Sequence, residues 1–572
     1  MPPKGAKGKR KAAAQPASGA SSKQAKQDGQ ASVKKEINVP VDEGFAAAAD
    51  TKVHIDKDGT IFDASLNQSQ VAKNANKVKT IYDRTQLCAI LIDSYSSTVC
   101  NFSKARRAAM STLDGDESAN MGGQVKTMDF NDFEDALAEF QKKFKDKSGL
   151  SWDDRAGDPK KGKYTYLEKN YDDDDDDADG AVKKEGDGDE DVKEEVESKL
   201  PKQTQRLMEL IFNENHFNSV LENIGYNNEK LPLGKLGKST IQKGFEHLQE
   251  LSSLIRHPTL AQNKHQTTQR EALEDFTNQY YSTIPHVFGR NRPPIIDNND
   301  ILTREVAMLD TLTDMEVANA IMKTSSDRHT DADSVAQIDK RFEQLKLSEC
   351  EPLDGKSAEY QGLKKYLINT AGHTHNIRYR LQDIFRISRE GEDERFEKSK
   401  YSSVKDKNRR LLWHGSRTTN YGGILSQGLR IAPPEAPMNG YAFGKGVYLA
   451  DISTKSANYC VSSSSGNTGL LLLCEAELGN PMYELLSGNS GAKEAAEQSG
   501  AIATYGIGRT TPQGWVDAGD IIAEELKGIQ IPDPEMEPGD QKNHPNAYLQ
   551  YNEYICYDVA QIRLRYLIRF QL

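Results

Sequence analysis

Apolar positions change their period along the chain, and each period predicts a different kind of element. Val53–Asn67 alternates apolar and polar residues around Asp58-Gly59, the pattern of a β-hairpin. Asp129–Phe144 spaces Phe130, Phe133, Leu137 and Phe140 for one face of a helix, and Tyr164-Thr165-Tyr166-Leu167 returns to a strand pattern. From Leu200 to about Lys323 the period is helical. Ser239-Thr240-Ile241-Gln242 has the form of a capping box, after which Ile241, Phe245, Leu248 and Ile255 share one face. Pro258 and Pro293-Pro294 mark turns. A last helix over Glu305–Met322 turns Met308, Leu312 and Met315 inward and sets Asp310 and Asp314 four residues apart, which in isolation reads as a solvated carboxylate face. A polar stretch, Thr324–Glu351, precedes shorter strand-like runs: Ile377–Tyr379, Ile384–Ile387, Leu411-Leu412-Trp413, Val447–Ala450 and the alternation around Tyr551–Tyr557.

The densest chemistry lies in Arg409–Cys460. There an apolar strand ends on His414-Gly415-Ser416, and Gly422, Gly423 and Gly428 break a short helical pattern carrying Ile424 and Leu425. The following loop is stiffened by Pro433, Pro434 and Pro437 and bent by Gly440, Gly444 and Gly446. Ser453–Tyr459 then crowds a Ser, a Lys and a Tyr around a predicted helix start. Such a mixture of polar groups, rings and glycines between short strands is what a preformed small-molecule cleft requires.

Charge is spread unevenly, and this matters more than the net value of -12. Met1–Glu36 is basic and Tyr171–Glu197 is acidic, with the run Asp172–Asp177; neither has the apolar content to fold alone. The basic tail, with Lys7–Lys11 reading KGKRK, suits nuclear import or phosphate backbones. The six cysteines form no C-x-x-C pair and read as reduced core thiols, which excludes zinc fingers and predicts no metal. No apolar stretch reaches the roughly 18 residues of a membrane span, and the N-terminus has no apolar signal region, so a soluble protein is expected, in the nucleus and without a membrane partner.

The stretch RRLLWHGSRTTNYGGILSQGLRIAPPEAPMNGYAFGKGVYLADISTKSANYC resembles the catalytic signature of the poly(ADP-ribose) polymerases, and LQYNEYICYDVAQIRLRYLIRF resembles that family's closing strands. The resemblance implies a multidomain α+β chain of the shorter, DNA-dependent type without zinc fingers. Its expected parts are a disordered basic tail (1–45), a small α+β WGR-like domain (46–170), an acidic linker (171–199), an all-α regulatory subdomain (200–325), and a mixed α/β ADP-ribosyltransferase domain with a largely antiparallel two-sheet core (345–572). The WGR-like domain departs from the family. The Trp-Gly-Arg tripeptide is absent, since the tryptophans are Trp152, Trp413 and Trp515, and Ser96–Phe130 in its place has little strand patterning. That segment reads as an insertion or replacement, and its basic residues Lys104, Arg106 and Arg107 read as a solvated face.

The resemblance also implies roles. NAD+ is a consumed substrate rather than a hydride carrier, in keeping with the lack of a G-x-G-x-x-G after a strand in this part of the chain. The backbone of Gly415 and the hydroxyl of Ser456 match the groups that hold the nicotinamide carboxamide, and Tyr448 and Tyr459 the rings that sandwich the pyridinium. His414 matches the histidine that orients the adenosine-side ribose. Ser416 and Arg430 match positions of the adenosine pocket, with Asn420 close in sequence; Arg430 reads equally as the partner of a carboxylate. Glu553 matches the catalytic glutamate that completes a His414-Tyr448-Glu553 triad and is associated with polymer formation. Lys455 matches a lysine near the acceptor and reads equally as a surface lysine. Asp310 and Asp314 match acidic positions facing the adenosine half of the cleft, so the helical subdomain is expected to gate entry. Expected partners are DNA with strand breaks and protein acceptors, including the chain itself (its acidic linker, or serines such as Ser198) and chromatin proteins. The alternatives are a nuclear chromatin or DNA-damage scaffold whose activity is lost or never triggered, favoured by the altered WGR-like region, and a mono-ADP-ribosyltransferase, disfavoured by Glu553.

Overall fold

A computed structural model describes residues 51–86 (except 57, 59 and 74), 108–116, 124–130, 133–169, 197–289, 291–326 and 336–572. The basic tail, Gly59, Cys88, Cys100, the Lys104/Arg106/Arg107 cluster and the acidic run lie outside the described residues.

The first unit is a sheet in the order Gln124–Phe130, Ala108–Asp116, Ala75–Gln86, Asp63–Gln70, Thr165–Leu167, each strand antiparallel to the next. Around Asp58 the chain closes a small bridged loop, Ile55 opposite Ile61, but the flanking strands do not pair with each other. Thr51–Val53 and Asp63–Gln70 follow one another along the same edge of Ala75–Gln86. Two strands fall inside Ser96–Phe130, against the expectation from its weak alternation. Ala108–Asp116 pairs on both edges, so backbone ladders hold it in place without a period-two signal. The helix of this unit is Phe133–Ser148, four residues later than expected. Phe130 belongs to a strand, and the buried face is Ala136, Phe140, Phe144 and Ser148. Trp152 fills the core, its ring edge-on to Phe140 at 4.8 Å and to Phe144 at 5.0 Å.

Helices Lys202–Ile211, Glu214–Ile224, Lys238–Arg256, Thr259–His265, Gln269–Thr283 and Asn299–Ser326 form the second unit. The predicted capping box at Ser239 is not formed. That helix starts at Lys238 after Gly237, without a side-chain cap, and the Ser239 hydroxyl donates instead to Glu168 of the sheet unit at 2.8 Å. A capping box does form at Thr268 with Glu271. The last helix is longer than predicted and, as expected, buries Met308, Leu312 and Met315. The polar stretch beyond it is structured in its second half, with helix Gln337–Gln344 and strand Leu347–Pro352.

The C-terminal unit is built on two main sheets. Seven strands run Trp515–Asp517, Gln530–Pro532, Arg409–Ser416, Thr468–Glu477, Ile562–Gln571, Arg380–Arg389, Leu347–Pro352. Four more run Val447–Leu449, Glu553–Cys556, Ala503–Gly506, Tyr483–Leu485, and a three-stranded sheet lies at the side. The strand expected at Ile377–Tyr379 begins only at Arg380; Ile377 and Tyr379 pack on the core, and the Tyr379 hydroxyl donates to Ser453 at 3.2 Å. The central strands explain their continuous apolar sequence. Leu470, Leu472 and Cys474 face the core shared with the helices, while Leu471 and Leu473 face a second core with Leu411, Trp413 and Tyr366. Both faces are covered, so no polar residue alternates.

Candidate active site

Two adjoining cavities open where the central strand Arg409–Ser416 ends. The larger, 590 Å³, lies between the helical unit and the sheets; the smaller, 270 Å³, reaches down between the two main sheets. His414, Gly415, Tyr441, Tyr448 and Tyr459 border both.

The smaller cavity is shaped by a close backbone approach. Trp413 exchanges backbone hydrogen bonds with Ala450 at 2.8 and 2.9 Å, tying the large sheet to the end of Val447–Leu449. Ser456, on the short helix Ser453–Ala457, donates its hydroxyl to the Trp413 carbonyl at 3.0 Å. A Cβ on Gly415 would lie 1.9 Å from the Ser456 carbonyl oxygen, so only glycine allows this approach. Tyr448 is fixed through its hydroxyl, which accepts from the Phe443 N–H at 2.9 Å and donates to the Gly444 carbonyl at 2.8 Å. Burial pushes that phenol well above its ordinary range, so it stays protonated. Tyr459, 60% exposed, forms the rim.

Glu553 begins the strand next to Val447–Leu449 and is 8% exposed. Its Oε1 lies 3.0 Å from Lys455 Nζ, which also donates to the carbonyls of Tyr551 at 2.8 Å and Asn552 at 3.1 Å. Burial pulls the Lys455 ammonium down and the Glu553 carboxylate pulls it back. The residues on either side of Glu553 are clamped by buried Asp451, whose Oδ2 accepts from Asn552 Nδ2 at 2.7 Å and from the Tyr554 hydroxyl at 2.9 Å. Nothing in the sequence distinguished Asp451, because its partners lie a hundred residues away.

In the larger cavity, His414 Nδ1 lies 3.0 Å from the Tyr448 carbonyl. A carbonyl only accepts, so Nδ1 carries the proton and Nε2 is left as an acceptor; burial holds the ring neutral by lowering its pKa. Asn420 Nδ2 donates to Ser416 Oγ at 3.0 Å. The opposite wall is the helix Asn299–Ser326. Asp314 is ion-paired with Arg430, and Asp310 accepts from the Tyr441 hydroxyl at 2.8 Å. The two aspartates therefore do not form a solvated face. Burial against the loop raises Asp310 to about 7 and Asp314 to about 6. Gly422 and Gly423 sit inside helix Tyr421–Gln427 rather than breaking it, and they let the two helices touch: a Cβ on Gly422 would lie 2.6 Å from the Ala318 methyl. Each of Asp310, Asp314, His414, Gly415, Ser416, Asn420, Arg430, Tyr448, Lys455, Ser456, Tyr459 and Glu553, the candidate site residues of the sequence, lines one of these cavities. Tyr441 and Arg417, which also line them, were not singled out; Tyr441 lay in the glycine-rich loop already marked as cleft-forming.

Residues 357–572 match the family model of the poly(ADP-ribose) polymerase catalytic domain, residues 198–342 that of the poly(ADP-ribose) polymerase regulatory domain, and residues 119–159 that of the WGR domain. The chain is 36% identical to poly [ADP-ribose] polymerase 2 of Zea mays over 95% of its own length and 76% of the relative's. It is 37% identical to poly [ADP-ribose] polymerase 2-A of Oryza sativa subsp. japonica (90% and 70%), and 34% identical to poly [ADP-ribose] polymerase 1 of Gallus gallus (95% and 49%). The WGR match starts inside the segment that lacks the tripeptide and runs through the helix and Trp152. Taken with the cavities, these likenesses show that the chain belongs to the poly(ADP-ribose) polymerases and is an ADP-ribosyltransferase that consumes NAD+.

Proposed function

We propose that this enzyme works in the nucleus, is switched on by DNA strand breaks, and carries out transfer and chain growth with Glu553, His414 and Tyr448. Cleaving nicotinamide from ribose needs no general acid, because the leaving group is already cationic. The site has to hold the ring, stabilise an oxocarbenium-like ribose and aim a nucleophile. Gly415 and Ser456 take the carboxamide, and Tyr448 and Tyr459 enclose the ring. Nε2 of His414 accepts from a hydroxyl of the adenosine-side ribose, while Ser416, Asn420 and Arg430 take the adenosine end. Glu553 bonds the 2′-hydroxyl of the reacting ribose, favours the developing positive charge and polarises the acceptor hydroxyl during elongation. Lys455 holds that carboxylate in place. The observation that carries this reading is the buried Glu553–Lys455 pair in the same cavity as Gly415, Tyr448 and Ser456.

The helical unit gates the adenosine end, because Asp310 and Asp314 occupy Tyr441 and Arg430 in the resting state. A seam between the WGR-like sheet and the helices offers the route from a break to this gate. Asn67 Nδ2 donates to the carbonyls of Tyr281 at 3.2 Å and Ser282 at 2.9 Å, and Arg292 Nε donates to the Val71 carbonyl at 3.0 Å. Acceptors include the chain itself and chromatin proteins. Among the described residues no helix is long and apolar enough to cross a membrane. The test is incorporation of labelled NAD+ by purified protein with and without a nicked, 5′-phosphorylated duplex. Polymer formation stimulated by the nick is expected. Indifference to DNA would remove break sensing from the reading, and absence of polymer would remove chain growth.

A further inference from the structure

Four basic side chains line the two cavities, and three of them are accounted for. Arg430 is paired with Asp314, Lys455 with Glu553, and Lys238 is exposed to solvent at the rim. Arg417 is different. It directly follows Ser416 on the floor of the larger cavity and is half-buried, yet among the described residues no carboxylate lies within ion-pair distance of it. Its Nη1 donates to the Thr311 hydroxyl at 3.1 Å, and its Nε is buried without any hydrogen-bond partner. Burial lowers its pKa with nothing to offset it, but a guanidinium stays charged in a protein. A partly desolvated cation with a free N–H is costly unless an anion completes it.

We propose that Arg417 is a substrate-binding residue that takes the pyrophosphate of the dinucleotide. The inference rests on the assignment of these cavities to NAD+. A dinucleotide with its nicotinamide in the smaller cavity and its adenosine end towards Arg430 crosses the larger cavity that Arg417 lines, and its two phosphates are the only anionic groups it brings there. A guanidinium fork matches phosphate oxygens, and the free Nε–H is the donor still to be used. Thr311, on the gating helix, holds Arg417 in the resting state with a neutral hydroxyl, so an anionic ligand outcompetes it. The same helix thus restrains both arginines of the cavity.

The test uses the full chain with nicked duplex and compares wild type with Arg417→Gln and Arg417→Lys. ADP, adenosine and nicotinamide serve as competitors of NAD+ turnover. Arg417→Gln is expected to raise the KM for NAD+ and the inhibition constant of ADP roughly tenfold to a hundredfold, the scale of a charge-assisted bond. Adenosine and nicotinamide should inhibit as in wild type, kcat should change by no more than about twofold, and Arg417→Lys should recover part of the ADP affinity. Unchanged ADP inhibition overturns the proposal. So does an equal loss for adenosine and ADP, which would mean a contact with the adenine ring or a general disturbance. If wild type is inhibited by neither ADP nor nicotinamide, the assignment of the cavities to NAD+ fails, and this inference fails with it.

Discussion

The two ends of the active site are built in different ways. Gly415, Tyr448, Ser456 and Glu553 all come from the C-terminal unit, and contacts within that unit fix the side chains: the Tyr448 hydroxyl bonds the backbone of Phe443 and Gly444, Ser456 bonds the Trp413 carbonyl, and Glu553 pairs with Lys455. The other end is composite. One wall, with Ser416, Asn420 and Arg430, belongs to the same unit, but the facing wall is a helix of the regulatory domain carrying Asp310, Thr311 and Asp314. Folding of one unit fixes the first end, whereas the second depends on two units staying docked. Such a division keeps the chemistry rigid while access remains adjustable.

The largest effects are expected at the rigid end. Gly415→Ala places a Cβ where the Ser456 carbonyl already sits, and the conflict involves backbone on both sides, so no rotamer change relieves it. Loss of nicotinamide inhibition and at least a roughly hundredfold loss of NAD+ turnover are expected; wild-type turnover would disprove the close approach. Glu553→Gln keeps the shape and removes the charge. Binding of NAD+, followed by a thermal shift, should persist, while chain growth on sizing gels should fall by roughly a hundredfold or more. Polymers of unchanged length would exclude Glu553 from elongation.

The same contrast explains which features could be read from the sequence. The Arg409–Ser416 strand and the Gly440–Gly446 loop with the strand after it announce themselves because a small pocket concentrates its glycines, rings and hydroxyls in short stretches. Elements whose role is set by distant partners do not. Strands Ala108–Asp116 and Gln124–Phe130 carry little alternation, since ladder pairing rather than a side-chain period holds them. Ser239 has the motif of a cap but finds Glu168 in another unit. Gly422 and Gly423 resemble helix breakers until Ala318 and Asp314 are seen to pack against them. Asp310 and Asp314 look solvated on their own helix and are covered only by Tyr441 and Arg430, more than a hundred residues later.

At the composite end, a wedge should separate the two walls without touching the reacting groups. Ala318 is fully buried against Gly422, so Ala318→Leu overpacks the docking face by about 1–3 kcal/mol. Basal NAD+ consumption without DNA should rise roughly tenfold, and the further stimulation by a nick should shrink accordingly. A flat basal rate in a variant that remains folded by circular dichroism would mean that the helices do not gate the site.

Protonation should adjust the same docking more gently. Burial raises Asp310 to about 7 and Asp314 to about 6, although the Tyr441 hydroxyl bonded to Asp310 and the nearby Arg430 and Lys445 cations pull the other way. When the walls part, both carboxyls return towards ordinary values near 4. The docked state therefore binds more protons than the open one, so docking is favoured at low pH and weakens as pH rises through 6 and 7. His414, held neutral by burial, adds no charge change in that window. Basal activity should accordingly increase about threefold between about pH 6.5 and pH 7.5 through Asp310 alone. Asp310→Asn imitates the protonated acid, so the variant should stay docked and lose this rise, with a lower basal rate than wild type at the alkaline end. Rates for the nick-activated protein over the same range supply the correction for chemistry that is independent of docking. A basal profile in Asp310→Asn that parallels wild type would place the titrating group elsewhere. A higher basal rate in the variant at alkaline pH would mean that the ionised carboxylate, through Arg430 and Lys445, favours docking rather than opposing it.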